Sequence, residues 1–208
     1  MRPASQQTTA QSSFKAITNL KSQIEFMRSS IQECVLNYPA GDSGLSGTTN
    51  EPYPVNPSST YLTSPHTPAG DNPMGRIRCP GNPGASADHA SIFGGKSGKF
   101  MPPAPDLFED WQYHNGIDGV FFFTQTDKTD AFLQTAMEKL DDEFAECEAD
   151  IIDASAAAVE LTTTADATLD PKCPLGSTCF RVWLIALDPV PANTAYNGDV
   201  VGDEASCP

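Results

Sequence analysis

The stretch from residue 8 to residue 36, TTAQSSFKAITNLKSQIEFMRSSIQECVL, contains neither proline nor glycine and decides the fold. Its apolar side chains recur at intervals of three and four residues, at Ile17, Leu20, Ile24, Met27, Ile31 and Val35. At about 100° per residue these positions fall on one narrow stripe of a helix surface. We therefore expect an amphipathic helix over residues 8–37 that packs this stripe on a sheet.

Two features mark the end and the free side of this helix. Pro39 disfavours helical geometry at Tyr38, and Gly41 supplies a turn, so the helix is predicted to end near residue 37. Phe26 lies off the stripe, and two interpretations stay open for it: packing under a loop, or contact with a partner protein.

Residues 38–108 form a region rich in proline and glycine, with turn signals such as residues 56–59 and 79–84. A loop of this length needs to be tied down or to serve a function. A disulfide between Cys34 and Cys79 would attach it to the helix. Six apolar side chains are candidates to anchor it: Tyr53, Tyr61, Leu62, Ile92, Phe93 and Phe100.

Residues 109–208 are predicted to hold the sheet, a second helix and a C-terminal loop. Asn115-Gly116 is typical of a two-residue hairpin turn and separates residues 111–114 from the strand 117–124. Residues 179–187 form the clearest central strand. Residues 151–164 suit either a helix or a strand, and we favour a strand at their end.

The second helix is expected over residues 127–147, with Asp127 as its N-cap. Its apolar face would carry Phe132, Leu133, Ala136, Met137, Leu140 and Phe144. Its solvent face would carry Glu138, Asp141, Asp142, Glu143 and Glu146. The pattern as a whole predicts one α+β domain over residues 1–208.

The net charge and the cysteines limit the binding partners and the cellular compartment that suit this domain. Acidic residues outnumber basic ones 27 to 12, a net charge of −15, which disfavours binding to nucleic acid. The six cysteines lack C-x-x-C spacing and favour disulfides in an extracytoplasmic protein: Cys34, Cys79, Cys147, Cys173, Cys179 and Cys207. Beyond the favoured Cys34–Cys79 bridge, the other four cysteines allow three pairings.

A disulfide-bonded protein needs an export signal, yet residues 1–13 contain no apolar core and no run of about 20 apolar residues follows. We therefore expect that a preceding segment has been removed from this chain.

The sequence contains only incomplete matches to catalytic and nucleotide-binding motifs. Residues 90–97 match a relaxed phosphate loop, but Pro102 and Pro103 follow closely and leave no room for the helix that such a loop requires, so no nucleotide is expected. The three histidines, His66, His89 and His114, share no ligand spacing and are expected at the surface. No enzymatic activity is predicted.

One metal site remains as an alternative to a plain acidic loop. Residues 197–204 gather three carboxylates and an amide around two glycines, and hard oxygen ligands of this kind suit calcium. The candidate ligands are Asp199, Asp203 and Glu204. Their spacing is not that of an EF-hand loop, and no other cofactor is expected.

The chain has a long helix that runs into Cys34, Tyr38 and Pro39, then a loop excursion, and then the strand module of residues 147–150 and 179–185. This layout resembles the soluble part of type IV pilins and type II secretion pseudopilins. This resemblance implies a pilin-like α+β fold and a structural, non-catalytic subunit of a bacterial pilus or pseudopilus filament. The leader, the Gly-Phe processing site and the apolar half-helix of that family do not precede Thr8.

The resemblance also implies partners and a location. Other pilin-like subunits would be contacted through the N-terminal helix, and the missing half-helix would anchor the subunit in the inner membrane before assembly. The protein would then lie in the periplasm or on a cell-surface filament. The competing interpretation is a secreted, disulfide-stabilised binding module or an extracellular enzyme of unknown substrate.

Overall fold

The computed structural model describes residues 4–41, 50–55, 73–80, 89–116, 119–145, 148–162 and 171–186, with side chains from residue 10 to residue 185 within those ranges. It combines two α-helices with antiparallel sheets, an α+β arrangement as predicted. The helices are α1 (Ala4–Asn37) and α2 (Ala131–Asp141). The strands are β1 (Gln112–Gly116), β2 (Gly119–Thr126), β3 (Ala149–Asp153), β4 (Val159–Glu160), β5 (Lys172–Cys173) and β6 (Thr178–Ala186).

Helix α1 packs its predicted apolar stripe into the main core. Leu20, Ile24, Met27 and Ile31 have no exposed surface, while Ile17 and Val35 at the two ends of the stripe are partly buried. Full burial of such a side chain contributes about 1.5–3 kcal/mol each. The period of the sequence therefore predicts both the helix and the face that it buries.

The main sheet has the strand order β1-β2-β6-β3, and every neighbouring pair is antiparallel. β2 and β6 are the two central strands, which confirms the central position predicted for residues 179–187 as far as Ala186. Val120, Phe122, Phe180 and Val182 point from these strands into the same core as the α1 stripe. Helix α1 therefore covers one face of the sheet, and α2 contributes Leu133, Met137 and Leu140 to that layer.

The opposite face of the sheet holds a second, smaller core. It contains Phe121, Phe123, Ile152, Cys179 and Trp183. Cys173 of the two-stranded β4–β5 ribbon, Leu161 directly after β4 and Ala154 before it also belong to this core. Both faces of the central strands are thus buried, which explains why residues 179–185 read as a nearly continuous apolar run.

The predicted hairpin is present, but the predicted position of its turn, at Asn115-Gly116, is wrong. Asn115 and Gly116 belong to β1, where Asn115 pairs with Val120 and Gly116 with Gly119, so residues 117–118 join the strands. The Asn115 side chain serves a tertiary role: its Oδ1 accepts from the Asn50 N–H at 2.8 Å, and its Nδ2 donates to the carbonyl of Pro54 at 2.8 Å. These bonds attach the long loop of residues 38–108 to the sheet.

The second helix is shorter than predicted. Asp130, and not Asp127, is the N-cap, because its Oδ1 accepts from the N–H groups of Phe132 at 2.9 Å and Leu133 at 3.3 Å. Asp127 forms an ion pair with its neighbour Lys128 instead. The helix ends at Asp141, and the following turn brings the Phe144 ring within 6.2 Å of the Phe180 ring centre.

The ambiguous region 151–164 contains strands at both ends of its described part. The favoured strand at its end is present only as the two residues of β4, Val159–Glu160, while the longer strand β3, Ala149–Asp153, continues from residues 149–150 of the strand module into the start of this region. Cross-strand pairing with β6 extends β3 over residues whose local sequence does not distinguish helix from strand.

Parts of the long loop are anchored as expected. Ile92 and Phe93 are buried and Tyr53 packs partly against the core, whereas Phe100 is 73% exposed and does not anchor the loop. Single antiparallel bridges join Val55 to Arg78 and Arg78 to Ser91. Tyr61 and Leu62 lie outside the described residues. Among the described residues, no helix is both long and apolar enough to cross a membrane.

Candidate functional site

The N-terminal part of α1 carries an exposed aromatic side chain. Helix α1 begins at Ala4, and Ser13 is the first buried residue among its described side chains. Phe14, next to it, is 73% exposed, although its neighbour Ala16 is buried. A large aromatic side chain on the free face of a long helix is a candidate contact for another protein.

Phe26, the other aromatic residue that we singled out on this helix, has an intramolecular partner. Its ring centre lies 5.7 Å from that of Phe93, in a tilted arrangement. Of the two interpretations left open by the sequence, the structure shows the loop contact, because Phe93 belongs to the long loop.

Ion pairs connect α1 to the turn that follows α2. The Lys21 ammonium group bonds the Glu143 carboxylate, and this hydrogen bond raises the pKa of Lys21. Arg28 donates to Glu148 at 3.1 Å and lies over the Phe144 ring at 5.7 Å from its centre. The pairs join α1 to the segment after α2 at a partly exposed edge of the core.

The phosphate-loop alternative lacks its supporting geometry in the structure. The segment Gly95–Ser97 forms a single 3-10 turn, and residues 98–105 continue without a helix. Hydrogen bonds close the loop on itself: the Gly94 N–H donates to the Lys99 carbonyl at 2.6 Å, and Ser97 Oγ donates to the Gly94 carbonyl at 2.7 Å. The amides of this loop are therefore not presented at a helix N-terminus.

A cleft of about 490 Å³ opens between the C-terminal end of α1 and this loop. Its wall includes the Cys34–Cys79 disulfide, and three basic side chains line it: Arg78, Lys96 and Lys99. Glu33 is the lining carboxylate, and it is ion-paired with Lys99. The sequence did not predict this cleft, because its walls come from residues about 45 to 65 positions apart along the chain.

The histidines differ from their predicted surface positions. His89 is 3% exposed and lines the cleft, so its surface assignment is wrong. His114 is partly buried and stacks on Phe121 with ring centres 4.8 Å apart. His66 lies outside the described residues. Within the described ranges, no group of three or more His, Cys, Asp or Glu side chains is arranged to hold a metal ion.

Asp141 is a further correction, because it was expected on the solvent face of α2 and is only 5% exposed. It is the last residue of the helix, and its carbonyl accepts from the Phe144 N–H at 2.8 Å. The candidate calcium ligands Asp199, Asp203 and Glu204 lie outside the described residues, so this interpretation stays a prediction.

Sequence reasoning missed a buried ion pair on the second face of the sheet. Asp150 on β3 and Arg181 on β6 face each other in register, with side-chain exposures of 0% and 1%. The guanidinium bonds both carboxylate oxygens, with Nε to Oδ1 at 2.9 Å, and donates to the Leu161 carbonyl at 2.8 Å. A charged residue inside a predicted central strand was the signal that something must pair with it.

The described residues contain two disulfides. Cys34 and Cys79 form the bridge that the sequence favoured, with Cα atoms 5.7 Å apart, and Cys173 pairs with Cys179 at 5.9 Å. None of these four described cysteines is free, while Cys147 and Cys207 lie outside the described residues.

Neither a protein-family model, nor a curated protein, nor a solved structure matches this chain.

Proposed function

We propose that this protein is a non-catalytic structural subunit of an extracytoplasmic filament of the type IV pilus or pseudopilus kind. The observation that carries the proposal is the arrangement of α1. This 34-residue helix lies on one face of an antiparallel sheet, buries one stripe there and leaves Phe14 73% exposed on another side.

A helix that is packed along one side from Ser13 to Cys34 and exposes Phe14 on another side suits assembly with further helices of the same kind. The exposed positions of α1 are mainly polar, so an interface on this side of the helix depends on its few exposed apolar side chains. Phe14 is the largest of these near the start of the helix, and we assign it a contact with a neighbouring subunit.

The disulfides support the extracytoplasmic part of the proposal. Disulfides persist in oxidising compartments, and the Cys34–Cys79 bridge ties the long loop to the end of α1. The loop region would then decorate the outside of a filament whose centre is formed by packed copies of α1.

The test compares two phenylalanines that are equally exposed, Phe14 on α1 and Phe100 in the loop, each at 73%. The full-length protein is expressed in its source cells as wild type, Phe14→Glu or Phe100→Glu, and sheared surface filaments are quantified by immunoblot. We expect Phe14→Glu to reduce filament recovery strongly and Phe100→Glu to leave it near the wild-type level.

Thermal unfolding of the purified variants is the control, and both should melt close to the wild type because both side chains are exposed. Absence of the wild-type protein from any sheared filament would overturn the proposed function. Normal filaments from Phe14→Glu would overturn the assignment of Phe14 to the subunit interface.

A further inference from the structure

We propose that the cleft beside the Cys34–Cys79 disulfide binds a small sugar acid, a hydroxylated ring that carries one carboxylate. The proposal rests on the cleft alone, and it holds whether or not the chain assembles into a filament. The volume of about 490 Å³ lies within the range of small-molecule sites, roughly 300–1,000 Å³.

Basic residues are concentrated in the walls of the cleft, although the chain as a whole is acidic. The chain has only 12 lysines and arginines against 27 acidic residues, yet three of those 12 line this one cleft. Glu33 is partly neutralised by its ion pair with Lys99. Lys96, which is exposed at the rim, has no ion-pair partner among the described residues and is therefore available to an anion.

The loop that carries the two lysines is held in shape before any ligand arrives. Gly94, Gly95 and Gly98 have φ values of 76°, 58° and 69°, which other residues rarely adopt. The Ser97 hydroxyl also accepts from the Lys99 N–H at 3.2 Å, which closes the turn from inside. Such preorganisation lowers the entropy cost of binding.

The remaining wall groups favour a hydroxylated ligand. Asn37, Tyr38 and Ser91 line the cleft and offer amide and hydroxyl groups as both donors and acceptors. The tyrosine adds a ring face against which a sugar ring can pack. The net charge of −15 repels a polyanion at long range, so a ligand with a single negative charge fits this molecule better than a highly charged one.

The experiment titrates the purified, oxidised protein with D-galacturonate, followed by calorimetry and by ligand-observed NMR. D-Galactose supplies the same ring without the carboxylate, acetate supplies the carboxylate without the ring, and galactose 6-phosphate supplies a different anion. We expect galacturonate to bind in the millimolar range or tighter, at least about tenfold more strongly than galactose or acetate. Added salt should weaken this binding.

Lys96→Gln should weaken galacturonate binding about three- to tenfold, as expected for one charged contact at a rim. Lys139→Gln is the matched control: it removes the same charge from the exposed face of α2, away from the cleft, and should bind like the wild type. Both lysines are exposed, so both variants should fold.

Four outcomes would overturn the proposal. The first is no saturable binding of galacturonate, and the second is binding of galactose as strong as that of galacturonate. The third is an equal loss of binding in Lys96→Gln and Lys139→Gln, which would indicate a diffuse charge effect. Binding of galactose 6-phosphate without galacturonate would also reject the carboxylate ligand.

Discussion

Asp150 and Arg181 show how a charge is accommodated inside this small protein. Arg181 lies between aromatic rings, with its guanidinium carbon 4.5 Å from the ring centre of Trp183 and 5.3 Å from that of Phe121. The carboxylate of Asp150 accepts from its Nε and one terminal nitrogen, and the Leu161 carbonyl accepts from the other terminal nitrogen. Removing Asp150 would leave the Arg181 guanidinium buried without its counter-ion.

We expect Asp150→Ala to lower the free energy of unfolding by about 3–5 kcal/mol, since a buried guanidinium then loses its counter-ion. Urea unfolding followed by circular dichroism measures this. The double variant Asp150→Ala/Arg181→Met should be more stable than the sum of the single effects predicts. Asp127→Ala, which removes the exposed partner of Lys128, is the control and should leave the midpoint nearly unchanged. A similar small effect for Asp150→Ala would contradict the buried-pair interpretation.

Tyr113 makes the stability of the fold depend on pH in the alkaline range. Burial raises its pKa well above the ordinary value of 10, with a smaller contribution from Tyr53, and its hydroxyl donates to the Pro54 carbonyl at 2.8 Å. In the unfolded chain this tyrosine ionises near pH 10, whereas in the folded chain it stays neutral. The stability that it contributes is therefore complete below pH 10 and is lost as the pH rises beyond that value.

The variant Tyr113→Phe tests this dependence. At pH 7 it should lose about 1 kcal/mol, the value of one hydrogen bond, because the Asn115 side chain still bonds the Pro54 carbonyl. Above pH 10 the difference should shrink and then reverse, since the phenylalanine cannot ionise. Far-UV circular dichroism against pH, together with tyrosinate absorbance, measures the two alkaline midpoints. An alkaline midpoint that is lower in Tyr113→Phe than in the wild type would contradict the expectation.

At the scale of elements, α1 has two aromatic residues with separate roles. Phe26 packs on Phe93 and holds the long loop, whereas Phe14 is exposed. We expect Phe26→Ala to lower the free energy of unfolding by about 1–2 kcal/mol through lost apolar burial and ring contact. Phe14→Ala should stay within about 0.5 kcal/mol of the wild type. Equal losses in chemical denaturation would mean that Phe14 also packs within the monomer.

At the scale of the whole molecule, the two described disulfides close loops of very different length. Cys34 and Cys79 are separated by 45 residues, and Cys173 and Cys179 by 6. Loop-closure entropy assigns about 4 kcal/mol to the first bridge and about 2 kcal/mol to the second. The double variant Cys34→Ala/Cys79→Ala should therefore be destabilised more than Cys173→Ala/Cys179→Ala. Equal urea midpoints for the two double variants would show that local packing, not loop closure, dominates.

The features that the sequence by itself determined are those with a local cause. The period of three and four residues places Leu20, Ile24 and Met27 on one helix face wherever the helix lies, and the apolar run of residues 179–187 predicts the central strand that the structure shows as β6, Thr178–Ala186. The Cys34–Cys79 bridge was favoured for a similarly simple reason, since it attaches a long loop to a helix end.

Only the tertiary structure decided the features that depend on which distant residues meet. Asn115 is a strand residue that pairs with Val120, and its side chain bonds loop residues 61 to 65 positions away. Asp150 meets Arg181 because the β3–β6 register places them opposite each other. The cleft exists because the disulfide and the Lys99–Glu33 pair bring the loop to the end of α1. Such contacts follow from chain packing, and no local period or propensity encodes them.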